Sequence, residues 1–295
     1  MTIKEGYMPF KEFKTYYRIV GEEYLGKKPP LLLLHGGPGS THNYFEVMDE
    51  LADKDERALI MYDQIGCGNS FVPNRPDLWN KETWAEELIE LRKFLNLDEV
   101  HILGQSWGGM LAIIYACDYK PEGVKSIILS STLASAKLWS IEQHRRIAWL
   151  SPEDQAAIKK AEDTGNFDDP DYLKANDHFM IRHCAPVFDE SWPEPLWRKK
   201  VSGSEAYVVG WGPNEYTPTG TLGDYEYTDK LHTIKEPVLI TDGVNDLCSP
   251  LVAKEMYDHI PGSKWELFGN SRHMPFVEEP EKYFPILLDW MNEND

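Results

Sequence analysis

The segment Val100–Met110 constrains the fold of this chain more than any other stretch. An apolar run typical of a buried strand ends in a Gly-x-Ser-x-Gly pattern centred on Ser106 and continues into Met110–Ala116, which is typical of a buried helix. A strand that becomes a helix within one residue forces that residue into a strained turn, and the flanking glycines permit the close approach that the turn needs. The pattern predicts that Ser106 lies at a helix N-terminus, where the helix dipole favours developing negative charge.

Alternating strand and helix patterns on both sides of this segment predict an α/β fold. Gly-x-Ser-x-Gly alone arises by chance in roughly one chain in ten of this length, so the flanking elements carry the argument for a nucleophile. The strands predicted outside the serine segment are Phe13–Val20, Leu31–Leu34, Ala58–Tyr62, Val124–Leu129, Pro237–Thr241 and Lys264–Phe268, and the helices are Trp84–Leu95, Pro250–His259 and Glu278–Met291. This order builds a mostly parallel sheet with helices on both faces, preceded by one antiparallel strand.

The alternation stops near residue 134 and resumes near residue 231. The interval contains helical fragments, turns and five of the ten tryptophans, but too few strand patterns to continue the sheet. An insertion at the carboxyl ends of the strands lies over the nucleophile. We therefore predict a catalytic domain formed by residues 1–133 and 231–295 and a mainly helical lid formed by residues 134–230. The alternative for the aromatic residues is that they only build the core of the lid.

Composition excludes several classes of protein. The formal net charge of −19 disfavours nucleic acid as a partner, and the acidic residues are spread evenly between the lid and the rest of the chain, which argues against a steering patch. Four scattered cysteines form neither a disulfide framework nor a Cys-x-x-Cys metal site. The N-terminal residues resemble no signal peptide, and no apolar run approaches the ~18 residues of a membrane span. We predict a cytoplasmic chain that binds no membrane.

A serine hydroxyl needs a general base, and the base needs a carboxylate to orient it. In this layout the chain order is serine, acid, histidine, which leaves His273, in a loop after a strand, and His259, at a helix end where a solvated position is more common. Asp246 is predicted as the acid over Asp242, which lies too close to its strand. The alternative for either aspartate is a carboxylate that caps a turn or a helix.

A loop of small residues, His35–Gly39, follows a central strand and is the second element that this chemistry requires. Such a loop lets the backbone approach a substrate, and enzymes of this layout take one oxyanion N–H from it. We predict that the backbone N–H groups of Gly37 and Trp107 bind the oxyanion; the alternative is an ordinary turn. Cys67 lies between two glycines after another strand, which predicts a thiol beside the pocket that bulky reagents reach.

Four segments together resemble the prolyl iminopeptidase family of α/β-hydrolases: His35–Gly39, Asp63–Ser70, Gly104–Gly109 and Gly212–Tyr216. The resemblance implies an α/β-hydrolase fold with a helical lid after the sixth strand. It also implies hydrolysis of an N-terminal residue, often proline, from short peptides or from amino-acid amides and arylamides, without a metal or another cofactor. The Gly-Pro-Asn-Glu motif of the lid implies that Glu215 holds the amino group of the substrate.

The sequence departs from the family at one position, because some members carry a second acid directly after the acid of the triad and this chain has Leu247 there. Glu205 could take the place of that acid, although a surface helix carboxylate is the alternative. Two other functions stay open: an amino-acid amidase or carboxylic esterase on the same fold, and a binding protein on a hydrolase scaffold. A monomer and a small homo-oligomer both fit the sequence.

Overall fold

The computed structural model describes all 295 residues. Its centre is one sheet of eight strands in the order β1-β2-β4-β3-β5-β6-β7-β8. The first two strands form an antiparallel hairpin that pairs antiparallel with β4, and all other pairs are parallel. The strands are β1 Ile3–Phe10, β2 Phe13–Val20, β3 Leu31–Leu34, β4 Leu59–Tyr62, β5 Val100–Gln105, β6 Val124–Ser130, β7 Val238–Gly243 and β8 Lys264–Phe268.

Helices cover both faces of the sheet, as the alternating pattern predicts. Alternate residues of the fully buried strand β3 enter opposite apolar cores: Leu32 and Leu34 pack into the larger core, and Leu31 and Leu33 into the smaller one. The helices are α1 Leu51–Asp55, α2 Lys81–Phe94, α3 Trp107–Ile114, α4 Ala136–Ile147, α5 Pro152–Thr164, α6 Pro170–His183, α7 Glu194–Trp197, α8 Ser204–Gly210, α9 Pro250–His259, α10 Pro275–Glu278 and α11 Pro280–Glu293. None of them combines the length and the apolar character that crossing a membrane requires.

The predicted strands are confirmed within two residues at either end, but β1 was not predicted. This strand lies at the edge of the sheet, most of its side chains are exposed, and Pro9 occupies a position where a central strand would need a backbone donor. It therefore lacks the apolar signal that identifies a buried strand. Its register against β2 is continuous from Ile3 opposite Val20 to Phe10 opposite Phe13.

The segment between β6 and β7 contains the helices α4 to α8 and contributes no strand to the sheet. It contacts the carboxyl ends of the strands through backbone hydrogen bonds, including Leu247 N–H to the His183 carbonyl (3.0 Å) and Gly203 N–H to the Gly39 carbonyl (2.8 Å). The helical insertion therefore lies against the loops that follow the strands, which is where ligand sites of α/β sheets form.

Candidate active site

Ser106 occupies the turn between β5 and α3 with φ 55° and ψ −122°, a conformation that costs energy for a residue with a side chain. The turn is possible because the residues two positions before and two positions after Ser106 are glycines. A Cβ on Gly108 would lie 1.9 Å from the Leu34 carbonyl oxygen, and one on Gly104 would lie 2.3 Å from the Gly108 oxygen. The Ser106 N–H donates to the Ser130 carbonyl (3.0 Å), which ties the turn to the neighbouring strand.

His273 and Asp246 meet above the ends of β8 and β7. Nδ1 of His273 lies 2.6 Å from Oδ1 of Asp246, and the carboxylate also accepts hydrogen bonds from the backbone N–H groups of Cys248 (2.9 Å) and Gly243 (3.2 Å). Burial lowers the pKa of His273, but Asp246, followed by Glu215 and Glu278, raises it, so that the pKa lies above its ordinary value of 6.5. An imidazole held in this way keeps a fixed tautomer, with Nε2 free to exchange a proton.

The backbone of the histidine is fixed by two neighbours. Its N–H donates to the Cys184 carbonyl at the end of α6 (3.1 Å), and its carbonyl accepts from the Gln105 side chain (3.1 Å), which comes from the residue before Ser106. The lid and the serine turn therefore both position the histidine.

Asp242 has a different environment. Its Oδ1 accepts from the indole N–H of Trp265 (2.6 Å), and no hydrogen bond joins it to His273. Burial, and then the nearby Asp246, raise its pKa from 3.8 to about 8, so that this carboxyl is protonated at neutral pH. A neutral carboxyl that bonds an indole is a structural group, which favours Asp246 as the partner of His273.

A cavity of about 440 Å³ opens at Ser106 and His273. Its wall includes Gly36 to Ser40, and a Cβ on Gly36 would lie 3.1 Å from the Cβ of Ser106. The Gly36 N–H donates to the Tyr44 hydroxyl (2.6 Å), whereas the Gly37 N–H has no acceptor in the chain. The second predicted donor, Trp107, is the first residue of α3, where N–H groups have no partner within the helix.

Glu215 enters the same cavity from the lid. Its Oε1 accepts from the Tyr207 hydroxyl (2.8 Å), and its backbone carbonyl accepts from the indole N–H groups of Trp139 (2.7 Å) and Trp211 (3.4 Å). Burial raises the pKa of Glu215, while Tyr207 and His273 act in the opposite direction. Two indoles thus fix the backbone of this residue, and one side-chain oxygen has no partner from the protein.

The turn before Glu215 is capped by Asn214 rather than by the glutamate. The Asn214 Oδ1 accepts from the N–H groups of Tyr216 (3.0 Å) and Thr217 (2.9 Å), and its amide donates to the Tyr172 hydroxyl (3.0 Å). The Glu215 carboxylate is therefore not needed to hold the loop in place.

Glu205 does not line the cavity. Its carboxylate accepts from the N–H groups of Asn74 (2.9 Å) and Arg75 (2.9 Å) and from the indole of Trp79 (2.8 Å). The structure corrects the expectation that Glu205 could bind substrate: this side chain tethers the 74–79 loop to α8.

The expectation for Cys67 is also wrong. Its side chain is fully buried, absent from the cavity wall, and 3.2 Å from the Gln64 carbonyl oxygen. The cysteine that lines the cavity is Cys184, at the end of α6, and it is only partly buried. The sequence contained no signal for it, because a helix terminus far along the chain became part of the site only through folding.

We expect bulky thiol reagents such as an organomercurial to inhibit through Cys184. Cys184→Ser should resist inhibition, and Cys67→Ser, its control, should stay as sensitive as the unchanged chain. Burial raises the pKa of the Cys184 thiol, so inactivation should be slow at neutral pH and faster as pH rises. Residual activity after timed exposure to the reagent measures the rate of inactivation. Resistance of Cys67→Ser in place of Cys184→Ser would contradict inhibition through Cys184.

Three other residues escaped the sequence analysis: Tyr207, Gln105 and Tyr44. Each is a polar side chain that orients another group in the site; Tyr207 and Tyr44 belong to no motif, and Gln105 occupies the unspecified position before Ser106 in Gly-x-Ser-x-Gly, so no spacing rule identifies them. The structure contains no group of three or more histidine, cysteine or acidic side chains arranged to hold a metal ion.

Comparison with known proteins agrees with this architecture. A profile of the alpha/beta hydrolase fold matches residues 29–280, and the fold and the site define the chain as an α/β-hydrolase. Over 295 residues and 100% of both chains, it is 65% identical to the proline iminopeptidase of Clostridioides difficile (strain 630). The structure is similar to the crystal structure of VinJ (TM-score 0.90, 32% identity, 99% of both chains). It is also similar to that of the proline iminopeptidase of Mycobacterium smegmatis (TM-score 0.86, 30% identity, 99% of this chain and 98% of the other). The chain belongs to the proline iminopeptidase family of α/β-hydrolases.

Proposed function

We propose that this chain is a serine aminopeptidase that releases N-terminal proline from short peptides through an acyl-enzyme. The observation that carries the proposal is the carboxylate of Glu215 in the same cavity as Ser106. A partly enclosed carboxylate with an unpartnered oxygen attracts a cation, and the free amino terminus of a peptide is the cation that an aminopeptidase must recognise. The names of the relatives are consistent with this substrate.

The proposed reaction begins with attack of the Ser106 Oγ on the acyl carbon while His273 takes its proton. Asp246 stabilises the imidazolium that forms, and the backbone N–H groups of Gly37 and Trp107 bind the oxyanion. His273 then gives the proton to the leaving amine, which departs and leaves the prolyl group esterified to Ser106. A water molecule, deprotonated by the same histidine, attacks the ester and releases proline.

Residues 134–230 act in this proposal as a lid over the catalytic domain formed by residues 1–133 and 231–295. The lid contributes Cys184, Tyr207 and Glu215 to the wall of the cavity. Enclosure by the lid lowers the local dielectric, which strengthens the interaction between Glu215 and an ammonium group. The lid therefore determines which substrate binds, and the sheet domain carries the bond-breaking groups.

Glu215→Gln should lower kcat/KM on prolyl arylamides by roughly tenfold to a hundredfold, because a hydrogen bond between charged partners is worth about 1.5–3 kcal/mol. The same change should barely affect simple p-nitrophenyl acyl esters, which have no amino group to bind. Parallel kinetics on both substrate types, with N-acetylated prolyl arylamides as unreactive controls, measure the difference. An esterase would instead turn over the acyl esters far faster than any free-amine substrate.

Glu205→Gln is the matched control, since it changes the same residue type in the same lid. It replaces one acceptor oxygen with an NH2 group that faces the N–H donors of the 74–79 loop, so we expect a lower melting temperature and an unchanged ratio of arylamide to ester activity. Equal losses on both substrates in Glu215→Gln would contradict the role proposed for Glu215.

A further inference from the structure

The cavity at Ser106 contains two side chains of opposite fixed charge. Glu215 is the one acidic residue in its wall, and Lys200 is the one lysine or arginine. They form no ion pair with each other, and neither is among the main charges that shift the pKa of the other. The two charges therefore lie in different parts of one cavity, and Ser106 opens into the same space.

The backbone around Lys200 is held from both sides. Two residues earlier, Arg198 bonds to both carboxylate oxygens of Glu46 (2.8 and 3.1 Å). One residue later, the Val201 carbonyl accepts from the Gly68 N–H (2.8 Å), and Gly203 N–H donates to Gly39 in the glycine loop beside Ser106 (2.8 Å). The position of Lys200 is thus fixed relative to the nucleophile by contacts that do not involve its own side chain.

The ammonium group of Lys200 has no acidic partner. It makes no hydrogen bond or ion pair, and its Nζ lies 5.8 Å from the centroid of the Tyr44 ring. The Lys200 side chain is exposed to solvent and lines the cavity. Its surroundings lower its pKa by burial, although Asp63, Cys67 and Glu46 counteract this. The chain has an excess of acidic residues, yet this ammonium group has no carboxylate partner. Because Lys200 lines the reaction cavity, its ammonium group is available to an anionic group of a ligand.

We propose that Lys200 binds the C-terminal carboxylate of the substrate, so that a short peptide is held at both ends and its free acid is preferred over its amide. This rests on the function proposed above, in which Glu215 binds the amino terminus. A peptide spans at most about 3.3–3.6 Å per residue, and the cavity of about 440 Å³ is near the small end of ligand sites. A cavity of this size fits a short peptide.

The test compares prolyl-glycine and prolyl-glycyl-glycine with the same peptides amidated at the C-terminus. The unchanged chain should cleave the free acid of at least one pair about tenfold to a hundredfold more efficiently in kcat/KM, mainly through a lower KM. Lys200→Gln should remove this preference by slowing the free acids and leaving the amides unchanged. Lys199→Gln is the control, because Lys199 is also exposed and unpaired but does not line the cavity.

Three results would overturn the proposal: no preference for either free acid in the unchanged chain, equal loss on acids and amides in Lys200→Gln, or the same loss of preference in Lys199→Gln. Full activity of Lys200→Gln on the amides shows that the variant is folded. Failure of the unchanged chain to cleave any prolyl peptide or arylamide would refute the aminopeptidase itself. Cleavage without a carboxylate preference refutes only the role of Lys200.

Discussion

Ser106→Ala is expected to lower kcat by at least about a thousandfold on every substrate, because it removes the atom that forms the acyl-enzyme and leaves only binding and oxyanion stabilisation. The Ser106 side chain caps no helix by a hydrogen bond, so the fold should not depend on it. Single-turnover and steady-state kinetics on a prolyl arylamide measure the loss, with circular dichroism as the check on folding.

A second readout separates a lost nucleophile from a distorted site. A fluorophosphonate reagent, which labels activated serines covalently, should add its mass to the unchanged chain and not to Ser106→Ala. Retention of more than about a tenth of the original kcat would exclude Ser106 as the nucleophile. Labelling at another serine would move the role to that residue.

Asp246→Asn should reduce kcat by about a thousandfold to ten-thousandfold, although it only replaces one carboxylate oxygen with an amide nitrogen. Oδ1 of Asp246 accepts from His273 and from the Cys248 N–H, and Oδ2 accepts from the Gly243 N–H. An asparagine amide nitrogen at the Oδ1 position presents an N–H to the imidazole and selects the wrong tautomer, and at the Oδ2 position it faces the Gly243 N–H without an acceptor. The acid limb of the pH profile should also move to lower pH. Asp246 is what holds the pKa of His273 above its ordinary value, and the base must be unprotonated to act.

Asp242→Asn is the matched control, and we expect it to change kcat by less than about threefold. Its effect should appear in stability. Because the folded-state pKa of Asp242 is raised to about 8, the folded chain binds more protons than the unfolded chain between the two pKa values, and stability falls as pH rises through that range. As the pH rises from about 5 to about 8, the melting temperature of the variant should fall less than that of the unchanged chain. The reverse ranking of the two variants in kcat would assign the acid to Asp242.

The sequence by itself determined the sheet, apart from its edge strand β1, and the places where chemistry is possible. Strands such as β3 and β5 are apolar on both faces because they are buried on both faces, so a local pattern identifies them. Gly104 and Gly108 identify the serine turn because no other residue fits the contacts that they make. The order of Ser106, Asp246 and His273 along the chain was also readable, since loops after parallel strands meet at one edge of the sheet.

Only the tertiary structure decided which side chains face the cavity. Glu205 and Glu215 are ten positions apart in the lid, yet one bonds a distant loop and the other lies in the cavity. Cys67 lies within a motif and is buried, whereas Cys184 and Lys200, which belong to no motif, line the cavity. The physical reason is that the lid consists of helices and turns whose local pattern indicates a buried face but not the element of the fold that this face meets. Tertiary contacts set those directions instead: Glu205 bonds the 74–79 loop of the sheet domain, more than a hundred positions away, whereas Glu215 is held within the lid by Tyr207 and Trp139.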